Sequence, residues 1–264
     1  MNHNKKSPRA DKNFGQHFLI NTGVVKKIVS AVQSLNKENL PVVEIGPGPG
    51  ALTKELLKAG LQVIAIELDS RMIEHLEEEF SAQIESGDLV LQQVDATKES
   101  AFDLIKEKKL QGLCVCGNLP YNVGTEIVFS MLERAKWAES FCFMLQKEVV
   151  QRMLTQSPGT KSYGVLGIKL SYLAKVLGHF WVKAGSFSPP PKVESGVLWY
   201  KRKAPGDTEE YRSFKKTVDL AFLHRRKMIK KAIPEIPAEY ATKRPDQLVP
   251  EVFLQVSKSI AKKG

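Results

Sequence analysis

Four consecutive residues, Asn118-Leu119-Pro120-Tyr121, combine a side-chain amide oxygen, a backbone carbonyl next to a stiff proline, and an aromatic face. The exocyclic amine of adenine is a poor nucleophile because its lone pair is delocalised into the ring, so an enzyme must draw that nitrogen toward tetrahedral geometry. The Asn118 oxygen and the Leu119 carbonyl can accept both amine hydrogens, while Tyr121 offers a surface on which the base stacks. No general base is required, because the proton becomes acidic once a methyl group has been added. A plain turn would account for the Asn and the Pro but not for the whole tetrapeptide.

Upstream, Glu44-Ile45-Gly46-Pro47-Gly48-Pro49-Gly50-Ala51 reads as a glycine loop between a strand and a helix, where backbone approaches a ligand closely. Gly46, Gly48 and Ala51 satisfy a relaxed dinucleotide fingerprint, so a nicotinamide cofactor is one reading. Pro47 and Pro49 lack the N–H groups that would cradle a pyrophosphate, which favours a ligand without phosphates, such as S-adenosylmethionine. Glu67 closes the next apolar run, 21 residues after Gly46, where a carboxylate can accept from both ribose hydroxyls. Asp95 ends a third run and suits an adenine amine. Any one strand-terminal acid is more commonly a helix N-cap, but three strand ends in register point to one adenosine-shaped site.

These residues need a frame that brings strand ends together. Apolar residues at helical spacing from Val24 to Leu35 predict a first helix, capped by Asn21 or Thr22. Short apolar runs then alternate with amphipathic stretches. Val42 to Ile45, Val63 to Ile66, Leu89 to Val94, Leu113 to Cys116 and Phe141 to Leu145 read as strands, and 51–59, 70–80, 98–109 and 124–136 as helices. Strict alternation predicts a parallel sheet covered on both faces, an α/β doubly wound, Rossmann-like domain. A helix at about 163–176 and the runs Phe180 to Val182 and Val197 to Tyr200 are expected to complete the sheet. The expected organisation is a basic tail over 1–12, the large domain over 13–203, a linker over 204–207, and a helical domain over 208–264. That last segment shows three helical patches, broken at Pro234, Pro237, Pro245 and Pro250.

Charge is concentrated at the ends. The 264 residues carry a formal charge of +10; residues 201–264 hold 16 basic against 8 acidic side chains, and residues 1–12 hold four against one. Two basic ends around a neutral middle form a footprint for a polyanion, nucleic acid first. No apolar run reaches the roughly 18 to 20 residues of a membrane span, and Met1 to Phe14 lacks the apolar core of a secretory signal, so the cytoplasm is expected. Cys114, Cys116 and Cys142 are an odd number in apolar runs, which suits a reducing compartment. The Cys-x-Cys pair has no neighbours to complete a metal site, so no metal is expected.

Six segments in order carry a resemblance over nearly the whole chain: Asn13 to Leu19, Glu44 to Gly50, Asn118 to Tyr121, Phe143 to Val150, Phe187 to Val193 and Phe222 to Lys227. With these motifs the chain resembles the bacterial small-subunit branch of the ribosomal RNA adenine N6,N6-dimethyltransferase family. The resemblance implies S-adenosylmethionine as cofactor, bound by His17, Leu19, Gly46, Gly48, Glu67, Leu68, Asp95, Ala96 and Asn118. The family more often has Asn where His17 stands, which a backbone contact would tolerate. It implies catalysis by Asn118, Leu119, Pro120 and Tyr121, with Phe187 closing on the target base opposite Tyr121, and RNA contacts at Arg225, Arg226 and Lys227. The expected substrate is a pair of adjacent adenosines in a hairpin loop near the 3′ end of small-subunit rRNA, the partner an immature small subunit, and the chain a monomer. A large-subunit rRNA methyltransferase and a non-catalytic rRNA-binding assembly factor are the alternatives. DNA adenine methyltransferases typically have a second Pro in place of Leu119, and no hydrolase motif occurs.

Overall fold

The computed structural model describes residues 8, 10–11, 15–98, 101, 110–206 and 208–261. The strands are β1 (Phe18–Leu19), β2 (Val42–Ile45), β3 (Val63–Glu67), β4 (Leu89–Gln93), β5 (Leu113–Asn118), β6 (Ala138–Gln146), β7 (Ala174–Val182), β8 (Phe187–Ser188) and β9 (Ser195–Arg202). The described helices are α1 (Thr22–Leu35), α2 (Ala51–Lys58), α3 (Ser70–Glu79), α4 (Ser81–Glu85), α5 (Gly124–Arg134), α6 (Lys147–Leu154), α7 (Val165–Leu173), α8 (Glu209–Leu223) and α9 (Pro250–Ala261). The helix expected at 98–109 falls almost entirely outside the described residues. None of the described helices is long and apolar enough to cross a membrane.

Seven strands form one sheet in the order β4-β3-β2-β5-β6-β9-β7. Pairings β4/β3, β3/β2, β2/β5 and β5/β6 are parallel, and β9 runs antiparallel to β6. The order reverses between β2 and β5, so their carboxyl ends diverge there and leave a crevice, the place where such sheets bind ligands. β2 and β3 are buried along their whole length, as strands covered on both faces must be. Helix α1 packs Val25, Ile28, Val29 and Val32 into the core beside Val42, Cys114 and Cys116, each fully buried aliphatic side chain contributing about 1.5–3 kcal/mol. Its N-cap is Asn21, whose side chain accepts from the Val24 N–H.

The chain divides into two compact units. One comprises residues 1–131, 135–147 and 177–201; the other comprises 132–134, 148–176 and 202–264. Residues 148–176, expected within the large domain, therefore cluster with the C-terminal segment. The expected linker is not a free tether at Gly206. That glycine is buried, and a Cβ there would meet Glu133 Cα at 2.6 Å. In the second unit Tyr172 stacks on Phe214, Lys169 is ion-paired to Asp219 at 2.7 Å, and the Tyr163 hydroxyl donates to the Leu248 carbonyl. Two α-helices, α8 and α9, and two 3-10 turns stand where three helical patches were expected. Pro250 opens α9 rather than breaking a helix, since its missing N–H is unneeded in a first turn.

Candidate active site

The glycine loop follows β2 without a break. Gly46, Gly48 and Gly50 have φ of +66°, +55° and +86°, a left-handed conformation that side-chain-bearing residues rarely adopt, and the intervening prolines stiffen the turn. The Gly46 N–H donates to the Ile66 carbonyl at 2.8 Å, which ties the start of the loop to β3. Next to it Glu67, the last residue of β3, is buried and accepts three backbone N–H groups: Gly48 at 3.1 Å, Leu68 at 2.8 Å and Asp69 at 3.0 Å. Burial pushes its carboxyl above the usual range, and the three donors pull it back. A carboxylate has about four lone-pair positions, so one remains for a ribose hydroxyl.

Glu44 lies beneath the loop. It is fully buried, accepts from the Thr53 hydroxyl at 2.7 Å, and its carboxyl is raised to about 7, chiefly by burial and further by the charge of Glu67. Beyond β4, Asp95 accepts the Thr97 N–H at 2.9 Å and the Thr97 hydroxyl at 2.7 Å, both on Oδ1. Among the described residues its Oδ2 has no partner, which leaves it for a ligand.

The tetrapeptide follows at the end of β5. Gly117 lets β5 approach β2, since a Cβ there would meet the Ile45 carbonyl oxygen at 2.3 Å. The Asn118 amide nitrogen donates to the His17 carbonyl at 2.8 Å, so its Oδ1 is the atom left to accept. The Leu119 N–H is used by the Met144 carbonyl at 3.1 Å, whereas its own carbonyl accepts no bond among the described residues. Pro120 instead gives its carbonyl to Gly124 at 2.8 Å, starting α5. The Tyr121 hydroxyl meets Ser195 Oγ at 2.6 Å, and its ring lies 5.4 Å from that of His17. Burial raises the Tyr121 phenol, partly offset by that Ser195 bond. His17 Nδ1 stands 2.9 Å from the Pro189 carbonyl; a carbonyl only accepts, so Nδ1 carries the proton.

The start of the glycine loop, together with Glu44, Glu67, Asp95 and the tetrapeptide, lines one cavity of about 240 Å³. His17, Leu19, Gly46, Gly48, Glu67, Leu68, Asp95, Ala96 and Asn118 are all on its wall, together with Leu119, Pro120 and Tyr121. Among the described residues the wall carries the carboxyl groups of Glu44, Glu67 and Asp95 and no Lys or Arg. Carboxylates at this wall disfavour phosphates and favour a cation, which fits a sulfonium better than a nicotinamide dinucleotide. The cavity brings the carboxylates at the strand ends and two carbonyl-type acceptors left free among the described residues into one space, an arrangement that suits an adenosine cofactor and an amine acceptor. A family model described as Ribosomal RNA adenine dimethylase matches residues 8–261. The chain belongs to that family.

Family membership fixes the reaction class as S-adenosylmethionine-dependent dimethylation of adenine in ribosomal RNA. Among curated relatives, Ribosomal RNA small subunit methyltransferase A of Pseudomonas syringae pv. tomato is 37% identical over 268 residues, covering 97% of this chain and 96% of the relative. The protein of that name from Pseudomonas aeruginosa is 36% identical, covering 96% and 95%. Among solved structures, a dimethyladenosine transferase from Plasmodium falciparum superposes with a TM-score of 0.74 at 24% identity, covering 94% of this chain and 98% of that one. The 23S rRNA methyltransferase ErmE gives 0.66 at 21%, covering 92% and 99%. These two show a shared Rossmann-like fold.

Two expected dimethylase roles meet a different geometry. Phe187 is not among the residues that line the cavity. It is 2% exposed, sits in β8 opposite Leu19 of β1, and belongs to the hydrophobic core. Packing of its ring against the strand that positions His17 and Leu19 explains the burial. Of the basic trio, Arg226 and Lys227 are exposed, but Arg225 is drawn inward, donating to the Lys161 carbonyl at 3.1 Å and lying 3.6 Å from Asp246.

Gln16 and Asp69 carry no sequence signature of a role in the site. Gln16 Nε2 donates to Asp69 Oδ2 at 3.1 Å, while its Oε1 accepts the Asp11 N–H, so the segment carrying His17 is pinned beside Glu67. Asp69 caps α3 and holds Arg71 at 2.6 Å. The Asp-Ser-Arg step after Glu67 is the local signal that could have revealed the cap. Nothing local reveals the bond to Gln16, 53 positions away.

Proposed function

We propose that this chain dimethylates N6 of two adjacent adenosines in the 3′-terminal hairpin loop of small-subunit rRNA during assembly of the small ribosomal subunit. The observation that carries this reading is the cavity itself, in which a carboxylate-lined wall, without Lys or Arg among the described residues, adjoins two amine acceptors that no described residue occupies, Asn118 Oδ1 and the Leu119 carbonyl. The small subunit is favoured because curated relatives at 36–37% identity over nearly the whole chain carry that name, whereas the 23S rRNA enzyme shares 21%.

S-adenosylmethionine, when bound, supplies an electrophilic methyl group. Glu67 would hold the ribose and Asp95 the adenine amine, with His17, Leu19, Leu68 and Ala96 lining the same pocket. Asn118 Oδ1 and the Leu119 carbonyl accept the two hydrogens of the target amine and turn its lone pair out of the ring plane. Tyr121 stacks the flipped base. For the second transfer only one N–H remains, so one acceptor lets go while the ring stays on Tyr121. Arg226 and Lys227 contact phosphates, and the chain works as a cytoplasmic monomer on an immature small subunit.

The test is incubation with methyl-labelled S-adenosylmethionine and small subunits lacking these methyl groups, followed by mass spectrometry of the nucleosides. Two dimethyladenosines per small subunit are expected. Label confined to large-subunit RNA, or monomethyladenosine alone at completion, would overturn the assignment.

A further inference from the structure

The sheet edge three strands beyond β5, whose end carries the tetrapeptide, holds a group of side chains that methyl transfer does not use. β7 is the last strand of the sheet, and Leu177, His179 and Trp181 alternate outward along it, all exposed. Trp181 is 40% exposed, whereas Trp137 is 3% exposed and Trp199 packs against the core. A large ring left in water forgoes the burial that most tryptophans find, so an exposed one within an ordered cluster marks a contact surface.

The cluster is built from both ends. The His179 ring meets Trp181 edge-on at 5.1 Å. Lys147 Nζ lies 5.6 Å from the Trp181 centroid and is held by Glu194 at 2.6 Å, and Lys183 also acts on Glu194 electrostatically. Two ammonium groups therefore face one carboxylate around an exposed aromatic surface, a composition that matches a polyanion carrying flat bases. The location is equally specific. The Lys147 N–H donates to the Glu194 carbonyl at 2.9 Å, and the next residue, Ser195, is the one that meets the Tyr121 hydroxyl. The cluster thus begins one residue from the side chain that supports the stacking tyrosine.

We propose that Trp181 is a stacking platform for an unpaired nucleotide flanking the target adenosine, with Lys147 and Lys183 meeting its phosphates. The proposal rests on rRNA being the substrate. When the target base turns onto Tyr121, its unstacked neighbour loses a partner, and the Trp181 ring replaces it. Every base has a π-face, so this contact holds the strand without reading its sequence.

Two measurements test it. In a titration with a single-stranded, adenosine-rich oligoribonucleotide, intrinsic fluorescence is expected to be quenched in the parent and most of the quench to be lost in Trp181→Phe, since Trp137 is buried and Trp199 is partly buried against the core. In steady-state assays with undermethylated small subunits, Trp181→Ala is expected to raise KM for the subunit by about tenfold, with Trp181→Phe recovering most of it and S-adenosylmethionine affinity unchanged in both. A quench undiminished in Trp181→Phe, or an unaltered KM in Trp181→Ala, overturns the platform. So does a raised KM for assembled subunits alongside unchanged oligoribonucleotide binding, which assigns the surface to a ribosomal protein. If the parent methylates no RNA, the functional reading fails, and the fluorescence titration still decides the platform.

Discussion

On the cofactor side of the cavity the carboxylates Glu67 and Asp95 are satisfied by donors within 19 positions of them in the chain, whereas on the acceptor side Asn118 and Tyr121 are held by residues far away. Glu67 takes N–H groups from residues one, two and 19 positions off, and Asp95 takes both of its donors from Thr97. Asn118 is fixed by His17 across 101 positions, and Tyr121 by Ser195 across 74. A site built from local turns is formed as soon as its strands pair, so it is preorganised for a small ligand. A site clamped by distant segments depends on the whole unit and can be disturbed while the first stays intact. Binding of cofactor and positioning of the acceptor base should therefore be separable by mutation.

The largest effect is expected from Asn118→Ala, which removes one of the two amine acceptors and the bond that fixes His17. Turnover should fall by about a thousandfold, the scale of losing a preorganised polar contact in the transition state. Single-turnover methylation of undermethylated small subunits measures it. A loss below tenfold would mean that the Leu119 carbonyl alone activates the amine.

Glu67→Gln probes the other side. The neutral amide keeps the shape but weakens the charge-assisted bonds to the Gly48, Leu68 and Asp69 N–H groups and to the ribose. Affinity for S-adenosylmethionine should drop by about 10- to 100-fold, corresponding to roughly 1.5–3 kcal/mol. Calorimetry checks this, and unchanged affinity would remove the ribose from Glu67.

A smaller effect should appear in stability against pH. Glu44 has its carboxyl raised from an ordinary 4.5 to about 7 by burial. Its contribution is therefore fully present below about pH 4.5 and is lost as pH rises through about 7, where a buried charge must form. Glu44→Gln keeps the acceptor for the Thr53 hydroxyl and removes the titration. From pH 5 to pH 8 the parent should lose stability relative to this variant by on the order of 3 kcal/mol, measured by denaturant unfolding. Parallel curves would place the titration elsewhere.

The same contrast governs what the sequence made legible. Left-handed glycines at 46, 48 and 50, an acid at each strand end and the Asn21 cap are signals carried within a few residues, and the structure places them where the pattern indicated. The bonds between Asn118 and His17, Tyr121 and Ser195, and Gln16 and Asp69 leave no local trace. Phe187 shows the limit of a carried-over role, because a motif transmits residue type but not burial. Helix α6 escaped notice because β6 ends at Gln146 and the helix begins at Lys147, with no Gly, Pro or Asx residue to mark the change. β7 was expected only from Phe180 because Lys175 and His179, on its outward face, interrupt the apolar run.

The separation of the two halves is tested most directly by Tyr121→Ala, measured for cofactor affinity by calorimetry and for products by mass spectrometry of RNA after limited turnover. Removing the ring takes away the stacking surface for the acceptor and leaves every bond of the glycine loop, Glu67 and Asp95 in place. S-adenosylmethionine affinity is expected to stay within about twofold of the parent, turnover to fall by about a hundredfold, and monomethyladenosine to accumulate because the half-modified base is no longer held for its second transfer. Cofactor affinity falling in step with turnover, or dimethyladenosine forming at the parent's rate with no monomethyl intermediate, would contradict it.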